Sequence, residues 1–194
     1  MSTAFLYGKL PAHGDFVCRG LTPEVEAVWD SWASGELAQA REAIPDDFDA
    51  AHEASPGWGF VSGPGLLGED WRCGAIAASI DAAGRRFLVV AGLDGLRADE
   101  AAFVADRAAA SAEGAIRAIL SERLEVDAAL RLVDRLLTPQ PASLKAAAGL
   151  AARSEAGVWW SLADLVEPAV GDGPPEGLVA ASLNRVSALL EKSA

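Results

Sequence analysis

Apolar residues recur along this chain with two different periods, and each change of period marks an element. Thr22-Pro23 opens a helix: a hydroxyl able to cap, then a proline at the first helical position, where its missing N–H costs nothing. Val25, Val28, Trp29, Trp32, Leu37 and Ala40 follow on one apolar face of a helix that ends near Ile44-Pro45. Glu24 and Glu26 sit at its positive end. Ahead of it, Phe5 to Lys9 reads as a short strand that stops at Pro11; behind it, Asp46 to Glu53 predicts a further helical turn or two.

The middle of the chain changes period. Gly57 to Val61 is strand-like, and Gly63, Pro64, Gly65 and Gly68 then force a loop. Cys73 to Ile80 and Arg85 to Leu93 predict two strands of a hairpin across Asp81-Ala82-Ala83-Gly84. The Asp starts a type I turn and the Gly closes it in the left-handed region. Ala75-Ile76-Ala77-Ala78 and Leu88-Val89-Val90-Ala91 are apolar without alternation, as strands covered on both faces are.

From Asp99 the period is helical again, over 99–121 and 124–137, with Val126, Leu130, Val133 and Leu137 forming one stripe. Thr138-Pro139-Gln140-Pro141 breaks it, and an Ala-rich helix is expected over 142–153. One more strand, Val158-Trp159-Trp160-Ser161, a turn-rich loop from Gly171 to Pro175, and a closing helix marked by Leu178, Val179, Leu183, Val186 and Leu190 complete the chain. The pattern predicts an α/β fold: a mixed or antiparallel central sheet covered by helices on both faces, an α/β/α sandwich. One domain over 1–194 is expected, with a helix and the main sheet strands in 1–98 and a mostly helical part with one further strand in 99–194.

Composition alters this picture little, and charge more. Hydrophobic residues make up 51% of the 194, but 41 of them are alanines, which bury little surface each. Sixteen Lys and Arg against 28 Asp and Glu leave a net charge of −12. Such a chain gains nothing from counterion release on nucleic acid, and an anionic membrane repels it. The charge is uneven: nine acids and one base between Thr22 and Ser55 put −8 into 34 residues. A solvated helix face accounts for that, and so does an acidic docking surface for a basic partner. The N-terminus has no basic region followed by a long apolar run, and stretches such as Phe87 to Gly92 fall short of the roughly 20 residues of a membrane span. A cytoplasmic protein without membrane insertion is expected, with Cys18 and Cys73 as reduced thiols.

Candidate chemistry sits among the turns. Lys9, His13, Asp15 and Arg19 form one cluster, in which a His two residues from an Asp is either an acid–base pair or part of a loop whose Asp accepts backbone N–H groups. Ser79, Asp81, Gly84 and Arg85 form another. Ser79 and Asp81 share a strand face, which permits hydrolase chemistry if His13 supplies the base. The plainer account is that Asp81 begins the turn and pairs with Arg85. His13, Asp15, Cys18, His52 and Cys73 lack metal-ligand spacing, so neither a metal nor a cofactor is expected. Six tryptophans are many for this length. Most are expected in the core, with Trp159 and Trp160 on opposite faces of their strand. Trp29 and Trp32, adjacent on one helix face beside Glu24, Glu26 and Asp30, are a candidate partner surface.

Taken in order, these motifs resemble the TagF family of type VI secretion-associated proteins. The resemblance rests on Gly8-Lys9-Leu10-Pro11, Gly14-Asp15-Phe16, Arg19-Gly20-Leu21 and the Trp29/Trp32 helix, then on Trp58-x-Phe60, Pro64-Gly65, Gly68, Trp71 and Gly74. Ser79-x-Asp81-x-x-Gly84-Arg85-x-Phe87 and Val158-Trp159-Trp160-Ser161 continue it, so that it spans about 5–161. Ala78 and Leu88 stand where the family commonly has prolines. The resemblance implies an α/β sandwich and a non-enzymatic cytoplasmic regulator that holds type VI secretion in check after translation. It also implies association with a forkhead-associated scaffold protein and with a threonine kinase/phosphatase pathway. On this reading Lys9, Asp15, Asp81 and Arg85 are structural anchors. Forkhead-associated domains read phosphothreonine, and the chain offers only Thr3, Thr22 and Thr138. A phosphate-independent interface is therefore expected. The competing readings are a small hydrolase using Ser79, Asp81 and His13, and a structural accessory subunit of the secretion machine.

Overall fold

The hairpin predicted across Asp81–Gly84 is the centre of the sheet. In the computed structural model, which describes residues 2–137, 157–163 and 165–192 (side chains of 102–106 excepted), β4 (Trp71–Ile80) and β5 (Arg86–Leu96) pair antiparallel from Ile80↔Arg86 upward. The Gly84 N–H donates to the Asp81 carbonyl at 2.9 Å and Gly84 has φ 79°, the type I turn closed by a left-handed glycine. Both strands are buried along most of their length, as their unbroken apolar runs require.

Five further strands extend the sheet on either side. β1 (Thr3–Lys9) pairs with β5, and β2 (Phe16–Arg19) folds back on β1. On the other side come β3 (Trp58–Ser62), β6 (Gly157–Ser161) and β7 (Ala169–Gly171). The order is β2-β1-β5-β4-β3-β6-β7, every pair antiparallel. The expected alternatives of mixed and antiparallel thus resolve to antiparallel. β2 and β7 are additions to the sequence reading, so the part beyond residue 98 carries two strands rather than one.

Helices cover both faces. α3 (Ala98–Glu122) and α4 (Val126–Leu137) pack with Leu6, Cys73, Ala75, Val89 and Ala91 on one side. Here the alanines have a use: Ala101, Ala108, Ala112 and Ala115 are buried and let α3 approach the sheet closely. In α4 the buried stripe is Val126, Ala129, Val133 and Leu137, with Leu130 only half buried. On the opposite face lie α1 (Pro23–Ala43), α2 (Phe48–Glu53) and α5 (Leu178–Glu191), over Phe5, Tyr7, Trp58, Phe60, Ile76 and Trp159. Thr22 caps α1, its Oγ1 accepting from the Val25 N–H. Trp159 faces this second core while Trp160 packs on the first, the opposition that strand geometry demands. The Ala-rich helix expected over 142–153 lies outside the described residues. Among the described residues no helix is long and apolar enough to cross a membrane.

Candidate functional site

The first candidate cluster is built around one buried carboxylate. Asp81 Oδ1 accepts from the Ala83 and Arg85 N–H groups, each at 2.9 Å. Its Oδ2 accepts from Lys9 Nζ at 3.0 Å and from Arg85 Nε at 2.6 Å. Burial alone would raise the Asp81 carboxyl, but the Arg85 amide and the Lys9 and Arg85 side chains outweigh it and hold the group well below the usual carboxylate range. Lys9 is buried with it, its ammonium 5.1 Å from the centroid of Phe16 and 5.9 Å from that of Phe87. Ser79 Oγ donates to the Lys9 carbonyl at 2.5 Å.

This cluster fastens the loop after β1. The Ala82 N–H donates to the His13 carbonyl at 2.8 Å, and Arg85 Nη2 reaches the Gly14 carbonyl at 2.6 Å. From the other side, Arg123 Nη2 donates to the Pro11 carbonyl at 2.7 Å and the first amide of α4, Val126, donates to His13 Nε2 at 3.0 Å. Asp15 is exposed and accepts from the next residue's N–H, and Arg19 pairs with Asp127 at 3.2 Å on the surface. The structure therefore joins Lys9, Ser79, Asp81, Gly84 and Arg85 in one tie, and leaves Asp15 and Arg19 outside it. Ser79, Asp81 and His13 are not hydrogen-bonded to one another as a hydrolytic constellation requires: Ser79 donates to the Lys9 carbonyl, Asp81 is held by Lys9 and Arg85, and the imidazole serves the α4 terminus.

The second candidate, on α1, requires correction. Trp29 is fully buried, packed edge-on against Trp32 at 5.6 Å and Phe60 at 5.3 Å between ring centroids, so its indole presents nothing to a partner. Asp30 is occupied as acceptor of the Tyr7 hydroxyl at 2.8 Å, and Glu26 lies against the Cys18 thiol. Glu24 is exposed, and Trp32 half-buried with its Nε1 donating to the Pro175 carbonyl at 2.9 Å. The acids of this stretch are likewise not one uniform surface. Asp47 accepts from Ser187 Oγ at 3.1 Å and Asp49 pairs with Arg86 at 2.5 Å.

Glu36 is the residue that sequence reasoning passed over. It is buried, and its carboxylate accepts from the Gly177, Val179 and Ala180 N–H groups at 2.5, 2.8 and 3.4 Å. It caps α5 in place of a local side chain, since the N-cap position itself is Gly177 at φ 79°. Burial raises the Glu36 carboxyl against the opposing pull of those amides. Together with the Trp32 bond it pins the 172–177 loop to α1. That loop in turn holds the 63–68 loop through the Leu66 N–H, which donates to the Asp172 carbonyl at 3.2 Å.

Between these fastenings runs an open groove of about 760 Å³. Along α1 it is lined by the exposed Ala27, Ser31, Gly35 and Ala38 and by the half-buried Val28 and Trp32, and from the loops by Leu66, Pro174 and Glu176. Leu66 is 66% exposed, the most exposed large apolar side chain among the described residues. A smaller cavity of about 350 Å³ lies at the hairpin tip, beside Pro11, His52, Ser79, Gly84 and Arg86. Elsewhere, Cys18 and Cys73 are free thiols, and burial pushes them up to about 11 and about 12. Among the described residues no three or more His, Cys, Asp or Glu are grouped to hold a metal ion.

Among the described residues the sheet is antiparallel between two helical layers, its polar motif side chains tie loops together, and an open groove runs along α1. The sequence matches the TagF N-terminal domain, Type VI secretion system-associated, over residues 6–136, and the chain belongs to that family. Its structure resembles the crystal structure of PA0076 from Pseudomonas aeruginosa PAO1 at 2.05 Å resolution, with a TM-score of 0.71 and 25% sequence identity. The likeness covers 95% of this chain and 93% of that one. A comparison with curated proteins found no match.

Proposed function

We propose that this type VI secretion-associated chain is a non-enzymatic cytoplasmic regulator, restraining assembly or activity of the secretion machine by binding a forkhead-associated scaffold protein. The observation that carries this reading is the family match over two thirds of the chain. The geometry supports it: Lys9, Ser79, Asp81 and Arg85, the motif side chains with chemical potential, are bonded to one another or to backbone, and serve the fold. Binding needs no phosphothreonine on this reading. Thr22 is engaged as the α1 cap, Thr3 is exposed at the start of β1, and Thr138 lies outside the described residues.

Affinity purification of the tagged chain from its native host, followed by mass spectrometry, tests the reading. The forkhead-associated protein of the type VI system is expected to co-purify, and to do so when Thr3, Thr22 and Thr138 are all replaced by valine. Recovery of sheath or baseplate proteins without the scaffold would instead support a structural subunit. Recovery of no type VI component would refute the proposal.

A further inference from the structure

The outer face of α1 carries a stripe that neither core uses. Ala27, Ser31, Gly35 and Ala38 are exposed at helical spacing, and the stripe continues to Glu24 at one end and Glu42 at the other. At 1.5 Å per residue, that is about 27 Å of helix. The loop side of the groove is held in place rather than free: Trp32 Nε1 bonds the Pro175 carbonyl, Glu36 accepts from the Gly177 amide and from two amides of α5, and the Leu66 N–H donates to the Asp172 carbonyl.

Two properties of the groove specify what fits it. Its α1 edge is made of small residues, and at Gly35 nothing lies within 4 Å of where a Cβ would stand, so an incoming side chain or backbone can approach α1 closely. Beside that edge stand apolar groups, Val28, Trp32 and Leu66. Its charged lining is of one sign: Glu36, Glu42 and Glu176, with no Lys or Arg among the described lining residues. Glu36 has its oxygens committed to α5, which leaves Glu42 and Glu176 at the rim, and Glu24 beyond them, to meet cations. Complementary fields of this kind select partners and speed encounter.

We propose that this groove takes a short basic segment of a partner protein, seating an apolar side chain against Val28, Trp32 and Leu66 while lysines or arginines reach Glu42 and Glu176. The proposal rests on the reading of the chain as a binding regulator, and adds where the partner docks and what chemistry it brings. A second copy of this chain is the poorer occupant, because two bodies of net charge −12 repel.

The test uses the full chain and a fluorescein-labelled peptide of repeated Lys-Lys-Leu, with two controls: every Lys replaced by Glu, or every Leu by Ser. Gly35→Gln places a long side chain on the α1 edge of the groove without altering charge, and glutamine is the better helix former, so the variant folds. Glu42→Lys with Glu176→Lys reverses the rim. Glu53→Lys with Glu122→Lys makes the same charge change at exposed positions outside the groove. By fluorescence anisotropy the Lys-Leu peptide is expected to bind and both control peptides to fail. Gly35→Gln and the rim pair should each weaken binding by about tenfold or more, the scale of an interface hot spot, and the outside pair by about threefold or less.

Equal weakening by both charge pairs with none from Gly35→Gln would show diffuse attraction to net charge and overturn the proposal. So would no binding at all. Self-association of the free chain that Gly35→Gln abolishes would give the groove to a second copy, and also overturn it. The two readings fail separately. If the Gly35→Gln chain captures the native scaffold as well as the unaltered chain does, the groove assignment is wrong and the regulatory reading stands. If the unaltered chain captures no type VI component, the regulatory reading is wrong whatever the peptide does.

Discussion

His52 provides a stability test that reads directly on the packing of α2 against the sheet. The side chain is 2% exposed, lies 5.7 Å from the Phe48 ring between centroids, and its Nε2–H donates to the Phe87 carbonyl at 2.8 Å. Burial lowers its pKa to about 4. The Phe87 carbonyl opposes that shift, while Arg86 and Arg41 reinforce it. An unfolded histidine titrates near 6.5, so between about pH 6.5 and pH 4 the unfolded chain holds a proton that the folded chain refuses. The contribution of this group to stability is therefore constant above about pH 7 and falls as pH drops through that window. At pH 5.5, a unit above the isoelectric region near 4.5, the loss relative to pH 8 is about 1.4 kcal/mol. With an m-value of roughly 2 kcal/mol/M, that moves a urea midpoint by about 0.7 M. Other groups also titrate, so the comparison is with His52→Gln, which keeps a donor for the Phe87 carbonyl and cannot ionise. The midpoint difference between pH 8 and pH 5.5 should be smaller in the variant by about that amount. Identical pH dependence in the two proteins, or a His52 ring proton signal that titrates near 6.5 by NMR, would refute the reasoning.

Four substitutions probe the other fastenings and the groove by urea denaturation. Lys9→Met removes one partner of a buried pair and should destabilise by about 3 kcal/mol. Arg85→Met, whose side chain is 61% exposed, should cost less than about 1 kcal/mol; the reverse ranking would mean that Lys9 does not anchor the cluster. Glu36→Ala leaves α5 without its distant cap and should destabilise by about 1–2 kcal/mol, with hydrogen exchange rising first at Val179 and Ala180. Gly35→Ala puts a methyl group into open space on a regular helix and should stabilise by about 0.5–1 kcal/mol; a loss of stability would show that this position is packed after all.

The elements that announce themselves locally were legible in the sequence. Thr22-Pro23 predicts the start of α1, and Asp81 with Gly84 predicts the central hairpin, because cap and turn chemistry depend on residues a few places apart. β2 escaped because Phe16–Arg19 is a four-residue strand placed among Pro11, Gly14 and Gly20, where turn signals dominate; its strand character comes from pairing with β1. β7 is three residues long and carries no period at all. The candidate surface failed at Trp29 for a related reason. On α1 the apolar positions span more than one face, and spacing alone does not say that Val25, Trp29, Ala33 and Leu37 turn inward while Val28 and Trp32 flank a groove. Glu36 looked like one more solvated acid, because the amides it caps are 141 to 144 residues away. Net charge was legible as a number but not as a map, since Asp30, Glu36 and Asp47 are engaged within the fold and Asp49 pairs with Arg86 at the surface.

The most direct test of the central claim, restraint of type VI secretion through a binding surface, is the amount of type VI substrate protein in the culture supernatant of the native host. The account predicts that deleting this chain raises secretion, that supplying the unaltered chain in excess lowers it below the starting level, and that the Gly35→Gln chain at equal abundance does not. Secretion that stays the same or falls on deletion would contradict the account.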